Sequence, residues 1–295
     1  MDTNINRDLP ISILASFFIL ALFTISNPVM AKDGEPIRMG IISLAPPAKI
    51  YKQWTEFADY LSEKTGRKVN IVVPRGFKKI KQAVNEKTVD IFYVNSHIFY
   101  RLKREGKANP IAQMMNLENS IYSKSVMFVR SNSGIDNLSQ LKGEKVAFVA
   151  PMGAGGYLAP RAAFYKAGIQ TKTETQELFT KNLTSSIHKV LIGDAKAGTM
   201  CGLNYNLMSK RVKMGDLKII ASSGKYPENV FGIRSDLSGD LARQLSNVIV
   251  GMDTDAKGRK ILNKMRGMKI LKFVKYSEKV ETQTEKLLKI GKFKL

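Results

Sequence analysis

Short runs of β-branched and apolar residues alternate with amphipathic windows along much of this 295-residue chain. Three such runs occur early, at residues 38–43, 69–73 and 89–94, and each leads into a window with apolar residues at i, i+3 and i+4 spacing. Because a strand, a helix and a following parallel strand connect through a right-handed crossover, this order predicts a largely parallel sheet covered by helices. The pattern therefore indicates an α/β fold.

The same rhythm restarts at residue 145, which indicates a second α/β unit. Strands are predicted there at 145–149, 176–179, 196–201 and 217–221, with helices at 156–169 and 183–191. After Pro227 the chain is predicted to be mainly helical, at 237–248, 255–265 and 278–290. We therefore expect two lobes, the first formed by residues 32–124 and 224–295 and the second by residues 125–223.

The first 31 residues carry the pattern of an export signal. Residues 11–25 are uncharged and apolar, and Val29 and Ala31 occupy the small-residue positions of a signal-peptidase site. The apolar stretch is shorter than the about 20 residues that a membrane span needs. We therefore expect cleavage after Ala31 and a periplasmic protein. An uncleaved anchor is the alternative, because two acidic residues offset the one arginine that precedes the stretch.

The composition limits the partners that the chain can bind. Lys and Arg number 47 against 25 Asp and Glu, which gives a formal net charge of +22. Such a surface suits nucleic acid, anionic lipid or a small anion, but an exported protein does not normally meet genomic DNA. One cysteine, Cys201, and two histidines exclude a disulfide scaffold and a classical structural zinc site, so we expect no metal and no cofactor. Cys201 itself is expected to be a buried, apolar strand residue.

No set of acid, base and nucleophile is recognisable in the sequence, so we expect a binding protein and no enzyme. The glycine-rich segment 152–157 lies between a predicted strand and a predicted helix, but its spacing matches neither the P-loop nor the dinucleotide fingerprint. Its backbone can still approach a ligand closely, and the following helix offers unpaired N–H groups at its positive end. A plain strand–helix turn is the alternative interpretation.

Several sequence blocks, in one order, resemble a single family over nearly the whole chain that follows the export signal. They are GIISL, WTEFADYLSEKTGRKVNIVV and VDIFYVNS in the first lobe, LKGEKVAFVAPMGAGGYLAPRAAFYKAGI in the second, and MDTDAKGRKILNKM near the end. These blocks resemble the phosphate/phosphite/phosphonate-binding periplasmic proteins of ABC importers. The resemblance implies a type II periplasmic binding protein, an α/β fold with two mixed, mostly parallel sheets flanked by helices and joined by hinge crossings.

The same resemblance implies how such a protein works. Its lobes close on a ligand by rotation about crossings near residues 122–130 and 221–227, and the ligand passes to an ABC permease in the inner membrane. We expect a monomer. A receptor of the same fold that signals to a membrane sensor, without transport, is the alternative.

The family's ligand residues carry over only in part. Its Ser-Thr-Ser-Gly loop falls on residues 153–156, which read Gly-Ala-Gly-Gly and keep the amides but lack the three hydroxyls. Its pocket histidine falls on Leu183, and the acid of its Ala-Asp-Ala segment falls on Lys196. The predicted ligand-binding residues are Tyr93, Asn95, Ser96, Gly153, Ala154, Gly155, Gly156, Tyr157, Leu183 and Lys196.

These departures change the expected ligand. A hydrogen bond to a charged group contributes about 1.5–3 kcal/mol, so losing three hydroxyls and a histidine lowers the expected affinity for the family's own ligands by orders of magnitude. Lys196 favours an anion and disfavours an aminoalkyl group. We therefore predict a small anionic ligand, either phosphonate- or phosphate-like or a divergent and larger anion with an apolar portion beside Leu183 and Ala154.

Overall fold

The structure, a computed structural model, describes residues 34–42, 45–210, 212 and 214–294. The predicted export signal and its cleavage site lie outside these residues. Among the helices of the described residues, none combines the length and apolar character needed to cross a lipid bilayer. Two large β-sheets of this part of the chain, each covered by helices, form two lobes.

The sheet of the first lobe contains strands from both ends of the described chain. Its strands are β1 (Ile37–Ile41), β2 (Val69–Val72), β3 (Ile91–Val94), β4 (Ala108–Asn116), β12 (Val230–Arg234) and β13 (Ile270–Val274). They lie in the order β13, β4, β12, β3, β1, β2. β1 pairs in parallel with β2 and β3, whereas β12 and β13 pair antiparallel with their neighbours.

The sheet of the second lobe is formed by the middle of the chain. Its strands are β6 (Ser125–Arg130), β7 (Lys145–Phe148), β8 (Gln176–Phe179), β9 (Ala197–Cys201) and β10 (Leu217–Ser222). They lie in the order β10, β6, β9, β7, β8. β7 pairs in parallel with β8 and β9, and β6 pairs antiparallel with β9 and β10.

A two-stranded sheet joins the lobes. It pairs β5 (Tyr122–Ser123) antiparallel with β11 (Tyr226–Pro227), and these are the two segments where the chain passes between the large sheets. The crossings therefore coincide with the beginning of the predicted segment 122–130 and the end of the predicted segment 221–227. The rest of 122–130 is strand β6 of the second sheet.

Helices cover both faces of the two sheets. The first-lobe helices are α1 (Pro47–Thr65), α2 (Phe77–Asn85), α3 (Ser96–Arg104), α8 (Gly239–Val250) and α9 (Ala256–Met265). The second-lobe helices are α4 (Ala159–Lys166), α5 (Thr171–Glu174), α6 (Leu183–Leu191) and α7 (Gly202–Ser209), and a π-helical turn (Ala154–Leu158) leads into α4. α10 (Lys279–Ile290) packs on α3 and α4 and so touches both lobes.

The first-lobe core shows how the sequence pattern becomes packing. The apolar face of α1 places Trp54 and Phe57 against the sheet, where Phe57 stacks on Phe231 of β12 at 5.4 Å between ring centroids. Phe273 of β13 meets the same cluster at 5.3 Å from Phe231. These rings are at most 2% exposed, so they fix α1 on the sheet and with it the position where α1 begins.

Most of the predicted architecture is confirmed, but two strands were not predicted. The two α/β units are present, and the predicted helices after Pro227 correspond to α8, α9 and α10. The region after Pro227 is mainly helical as expected, but the sequence analysis missed β12 and β13, which complete the first sheet. Each is five residues long and pairs with strands far away in sequence, so its place in the sheet depends on tertiary packing. Each large sheet also combines parallel with antiparallel pairs.

Candidate ligand-binding cleft

A cavity of about 970 Å³ lies between the two lobes. Its lining includes Trp54 and Tyr93 from the first lobe, Leu183 and Cys201 from the second, and Glu228 beside the hinge. In both lobes the cavity meets the carboxyl ends of parallel strands, such as β3 and β9, which is where α/β sheets commonly bind ligands.

Several helical segments begin at this cavity. Among the described residues these are α1, α3, the π-helical turn, α6 and α7, and the residues that directly precede them are Pro46, Asn95, Gly153, Asn182 and Cys201. The first turn of a helix has N–H groups without helical partners and carries a partial positive charge. Helix starts that converge on one cavity therefore favour an anion there.

Two of these helix starts are capped by their own side chains. Oδ1 of Asn95 accepts a hydrogen bond from the backbone N–H of Ile98 at 3.0 Å, and Oδ1 of Asn182 accepts one from Ser185 at 2.7 Å. In the described structure, α1, the π-helical turn and α7 begin without a side-chain cap. Among their first N–H groups, that of Gly202 in α7 donates to the carbonyl oxygen of Lys124 at 2.9 Å and that of Lys49 in α1 to that of Pro46 at 3.0 Å, so the remaining ones are available to water or a ligand.

Side chains of strands β6 and β9 fix the glycine loop before α4 through hydrogen bonds. Ser125 Oγ donates to the carbonyl oxygen of Gly155 at 2.7 Å, and Thr199 Oγ1 donates to that of Gly156 at 3.0 Å. Gly155 also packs closely on the hinge, because a Cβ at this position would lie 2.2 Å from the hydroxyl oxygen of Tyr226. Ser125 and Thr199 thus bind carbonyl oxygens of the loop, and N–H groups at the start of the π-helical turn remain for a ligand.

Lys269 brings a positive charge from the first lobe to this cavity. Its Nζ lies 3.7 Å from Sγ of Cys201, so the contact spans the two lobes. Burial lowers the pKa of Lys269, but Cys201 and Glu228 together raise it above its usual value, so the side chain is protonated at neutral pH. Within the described residues this ammonium forms no salt bridge, which leaves its charge for an anion.

Glu228 is the one carboxylate among the described residues that line the cavity. It is 3% exposed, and its Oε1 accepts hydrogen bonds from Oγ of Ser123 and, at 3.0 Å, from Nδ2 of Asn116. Burial raises the pKa of Tyr93 and of Tyr226 above the usual range, and the charge of Glu228 raises both further. Both phenols are therefore neutral, and Glu228 is the negative centre of the hinge side of the cleft.

The first-lobe wall of the cavity is aromatic and apolar. The rings of Trp54 and Tyr93 are 4.9 Å apart, and the hydroxyl of Tyr93 donates to Sδ of Met114 at 2.9 Å. Ile50 and Met268 extend this wall. Such a surface suits an apolar part of a ligand, whereas Lys269, Glu228 and the helix starts supply charged and polar groups to the same cavity.

Seven of the ten predicted ligand-binding residues line the cavity. They are Tyr93, Asn95, Gly153, Ala154, Gly155, Gly156 and Leu183. The two lobes therefore bring together residues that are far apart in sequence. Their contribution to ligand binding stays a prediction.

The structure places the other three elsewhere, which corrects the expectation. Ser96 is buried and donates its Oγ to the backbone of β11 at 2.8 Å, so it fastens α3 to the hinge. Tyr157 lies in the second-lobe core and donates its hydroxyl to Glu177 at 2.8 Å. Lys196 is exposed and directly precedes β9, whose opposite end at Cys201 reaches the cavity. The comparison with the family's Ala-Asp-Ala segment thus assigned the basic residue to the wrong end of a strand.

Several charged or polar residues that line the cleft were missed from sequence, among them Lys269, Glu228 and Tyr226. Glu228 directly follows the predicted crossing 221–227, so a search for ionisable residues beside crossings would have found it. Lys269 has no such signal, because it follows a 3₁₀ turn and has a left-handed backbone with φ of 69°. Cys201 is buried as expected, but it also lines the cavity.

Comparison with known protein families and sequences gives a match over most of the chain. The family described as "ABC transporter, phosphonate, periplasmic substrate-binding protein" matches residues 39–279. The phosphonates-binding periplasmic protein of Escherichia coli (strain K12) is 24% identical over 238 residues, which cover 77% of this chain and 70% of that protein. The tetrathionate sensor histidine kinase TtrS of Salmonella typhimurium (strain LT2) is 25% identical over 146 residues, which cover 48% of this chain and 25% of TtrS.

Solved structures share the two-lobed fold. PhnD1 from Prochlorococcus marinus (MIT 9301) in complex with methylphosphonate superposes with a TM-score of 0.73 at 18% identity, covering 90% of this chain and 98% of that one. XAC2383 from Xanthomonas citri bound to ATP gives a TM-score of 0.74 at 18% identity, covering 87% and 97%. At such identities the likeness establishes the fold and leaves the ligand to be argued from the cleft.

Proposed function

Because this chain belongs to the family of periplasmic phosphonate-binding proteins of ABC transporters, we propose that it captures a small anionic ligand between its lobes and delivers it to an ABC permease. Members of this family are solute-binding proteins of the periplasm. The hinge formed by β5 and β11 lets the lobes rotate as rigid bodies, which encloses a ligand that touches both. Binding and closure need no chemical step.

The observation that carries this proposal is the convergence of uncapped helix starts and Lys269 on one interlobe cavity. An anion at a helix start gains typically about 0.3–1 kcal/mol, and up to about 2 kcal/mol in partly buried geometry. A hydrogen bond from an ammonium to an anion adds about 1.5–3 kcal/mol. These groups can together replace the loop hydroxyls that the family uses and this chain lacks.

The cavity favours an anion with an apolar part. Its volume of about 970 Å³ is near the upper end of the range for small-molecule sites, and the Trp54–Tyr93 wall is apolar. Related folds hold anions of very different size, since the two solved structures above contain methylphosphonate and ATP. We therefore propose a phosphonate- or phosphate-like headgroup beside Lys269 and the helix starts, with a substituent along the Trp54–Tyr93 wall.

The finer organisation of the protein is also a proposal. Residues 1–31 are removed on export, residues 32–124 and 224–295 form the first lobe, and residues 125–223 form the second. The sheet memberships support these boundaries, because β4 ends at Asn116 and the first sheet resumes at Val230. The mature protein acts as a monomer and binds no nucleic acid.

A sensory role is the second candidate function. The match to TtrS favours it, because that protein is named as a sensor histidine kinase and nearly half of this chain aligns with it. In this case the closed lobes act on a membrane sensor and no permease takes the ligand. Loss of the gene then changes ligand-dependent transcription in the host but leaves uptake of the ligand unchanged, whereas loss of a transport component abolishes uptake.

Calorimetry on the protein recovered from the periplasm tests the main proposal. After unfolding and refolding to remove any bound solute, the protein is titrated with methylphosphonate, inorganic phosphate, tetrathionate, ATP and, as a neutral probe, glucose. We expect saturable binding of at least one anion and none of glucose. The intact mass of the same sample reports whether the chain begins after Ala31. Failure of every anion to bind would sink the proposed function.

Lys269→Met identifies the anion contact. Loss of its ammonium should weaken anion binding by about 10- to 100-fold, because a charge-assisted hydrogen bond disappears, whereas Lys269→Arg keeps the charge and should lose less. Lys196→Met is the matched control, since Lys196 is exposed beyond the other end of β9. Equal losses for K269M and K196M would contradict the assignment of Lys269 as the anion contact.

A further inference from the structure

A second cavity, of about 430 Å³, lies on the first lobe beside the cleft. We call it the side groove, because it lies between two packed helices, α1 and α9. Residues three or four positions apart share one face of a helix, and each helix contributes such a face to the groove. The groove is defined by Lys49, Lys52 and Glu56 of α1 and by Ile261, Lys264 and Met265 of α9.

The side groove is continuous with the interlobe cavity. Both are lined by Lys49, Gln53, Gly267 and Met268. Met268 directly precedes Lys269, the ammonium that we assign to the headgroup of the ligand. A ligand whose headgroup lies beside Lys269 can therefore extend past Met268 into the side groove.

Salt bridges join α1 to the α9 segment at three places. The pairs are Glu56–Lys264, Glu63–Lys257 and Lys64–Asp255. Each of them combines an acidic with a basic side chain, so the charges of the two helices compensate each other along this interface.

This compensation ends where the side groove joins the cleft. There α1 presents Lys49 and Lys52, and within the described residues neither forms a salt bridge. Glu56 is the only acidic residue of the groove's described lining, and Lys264 already pairs with it at 2.6 Å. Three lysines against one glutamate leave an excess of two positive charges, and the positive end of α1 adds to this potential.

Apolar side chains form the base of the side groove. Ile261 and Met265 are at most 4% exposed, and Met268 is partly buried against the first-lobe core. A methylene chain gains from contact with such a surface, whereas a negative group gains from the ammonium groups of Lys49 and Lys52. From the cleft outward, the groove therefore suits an apolar linker and then an anion.

We propose that the side groove is a second anion subsite, so that the preferred ligand of this protein is an elongated anion with two acidic groups joined by an apolar chain. The headgroup accepts hydrogen bonds from Lys269 and the helix starts in the cleft. The distal acidic group binds Lys49 and Lys52 in the groove. This inference rests on the proposed function, because it assigns the far end of the same ligand.

Two ligands that differ only in the distal charge test the proposal by calorimetry at low ionic strength. They are ω-phosphonohexanoate and hexylphosphonate, which share the headgroup and a six-carbon chain but end in a carboxylate and in a methyl group. At about pH 7 the carboxylate is fully ionised. The wild type should bind the phosphonohexanoate about 3- to 10-fold more tightly, the range expected for two solvent-accessible ion pairs. Because salt screens such pairs, the preference should shrink as the ionic strength rises.

Lysine variants locate the distal contact. Lys52 lines the side groove but is not among the residues that line the cleft, so Lys52→Met should lower the preference about 2- to 3-fold. Together with Lys49→Met it should bring the preference to within about 2-fold. Lys260→Met is the matched control, because Lys260 is exposed on α9 outside both cavities, and it should keep the wild-type preference.

The outcomes separate this subsite from the proposed function. Equal affinity of the wild type for the two six-carbon ligands, or an unchanged preference in the double variant, overturns the subsite, while binding of hexylphosphonate still supports the cleft as an anion site. Binding of methylphosphonate without binding of either six-carbon ligand also overturns the subsite, because the groove then admits no chain. Failure of all three to bind, together with phosphate and ATP, overturns both.

Discussion

His97 is a buried titratable side chain at the junction of the two lobes. It is 1% exposed, and its Nε2 accepts a hydrogen bond from Nε of Arg101 at 3.0 Å. Burial, together with the charge of Arg101, lowers the pKa of His97 to about 3. The folded protein therefore holds this imidazole neutral, whereas in the unfolded chain it binds a proton below about pH 6.5.

This difference should make the protein less stable as the pH falls. Between about pH 6.5 and pH 3 the unfolded state binds more protons at this site than the folded state, so stability rises with pH across this window and is lost toward acid. His97→Gln keeps an acceptor for Arg101 but removes the titration. Between about pH 7 and pH 4, the free energy of unfolding of the wild type should fall by about 2–3 kcal/mol more than that of H97Q in denaturant titrations.

His188 supplies the matched control for this measurement. It is exposed on α6, so His188→Gln removes a histidine without touching the lobe junction. H188Q should lose as much stability between the two pH values as the wild type. If H97Q also matches the wild type, His97 is not held neutral in the folded protein.

Lys196 and Lys269 show how far single residues could be assigned from sequence. Strand β9, which begins directly after Lys196, was predicted, but periodicity does not show which end of a strand faces a cleft. Lys269 has a left-handed backbone, which costs an L-residue about 1–2 kcal/mol and leaves no local sequence pattern. The glycine loop, in contrast, was predictable because glycine itself marks a close approach of the backbone.

At the scale of elements, strand β4 shows why parts of the sheet escaped prediction. It lies between β13 and β12 but contains Pro110, a residue that normally argues against a central strand. Its pairing with β12 shifts register at this point, since Gly232 pairs with Pro110 and Phe231 with Ala112. This irregularity accommodates the proline and depends on a distant strand. In helices α8 to α10, by contrast, the apolar stripe is visible within the helix's own sequence segment, so these helices were predicted.

The π-helical turn before α4 gives a prediction about packing against the hinge. In Gly155→Ala the new Cβ would lie 2.2 Å from the hydroxyl oxygen of Tyr226 and 3.2 Å from Cβ of Cys201, so the turn or β11 must move. Overpacking of this kind costs about 1–3 kcal/mol. We expect G155A to unfold at lower denaturant concentration and to bind anions more weakly, because the first N–H groups of the turn are displaced.

Gly215→Ala is the control for this substitution. Gly215 also lies in the second lobe, but an added Cβ there has no neighbour within 4 Å in the described structure. G215A should keep wild-type stability and anion affinity. A G155A protein that binds anions like the wild type would show that the turn does not depend on its contact with Tyr226.

At the scale of the whole molecule, the C-terminal segment forms a further link between the lobes. The ring of Phe293 lies 5.6 Å from that of His97 in the first lobe and 5.4 Å from that of Tyr157 in the second. The guanidinium of Arg161 stacks over Phe293 at 4.3 Å from its centroid, and Arg101 donates to the backbone oxygen of Lys294 at 2.7 Å. Lobe movement about the hinge must therefore strain or break these contacts. From sequence this region was predicted only as a helical tail.

Phe293→Ala tests whether this segment restrains the lobes. Removing the ring eliminates its contacts with His97, Tyr157 and Arg161, which should lower the free energy of unfolding by about 1–3 kcal/mol, less than for a fully buried phenylalanine. The ligand-free lobes should also open further, which small-angle X-ray scattering detects as a larger radius of gyration. Because the closed form is then less populated, anion affinity should fall by about 3- to 10-fold.

Tyr51→Ala separates this restraint from the general effect of losing an aromatic ring. Tyr51 is 45% exposed on α1, and its hydroxyl donates to the backbone of Ile71 within the first lobe. This variant should keep the wild-type radius of gyration and anion affinity. If F293A is destabilised but its ligand-free radius and affinity equal those of Y51A, Phe293 only stabilises the fold. If both change as predicted, the C-terminal segment limits how far the cleft opens. The hinge strands β5 and β11 alone then do not determine the opening.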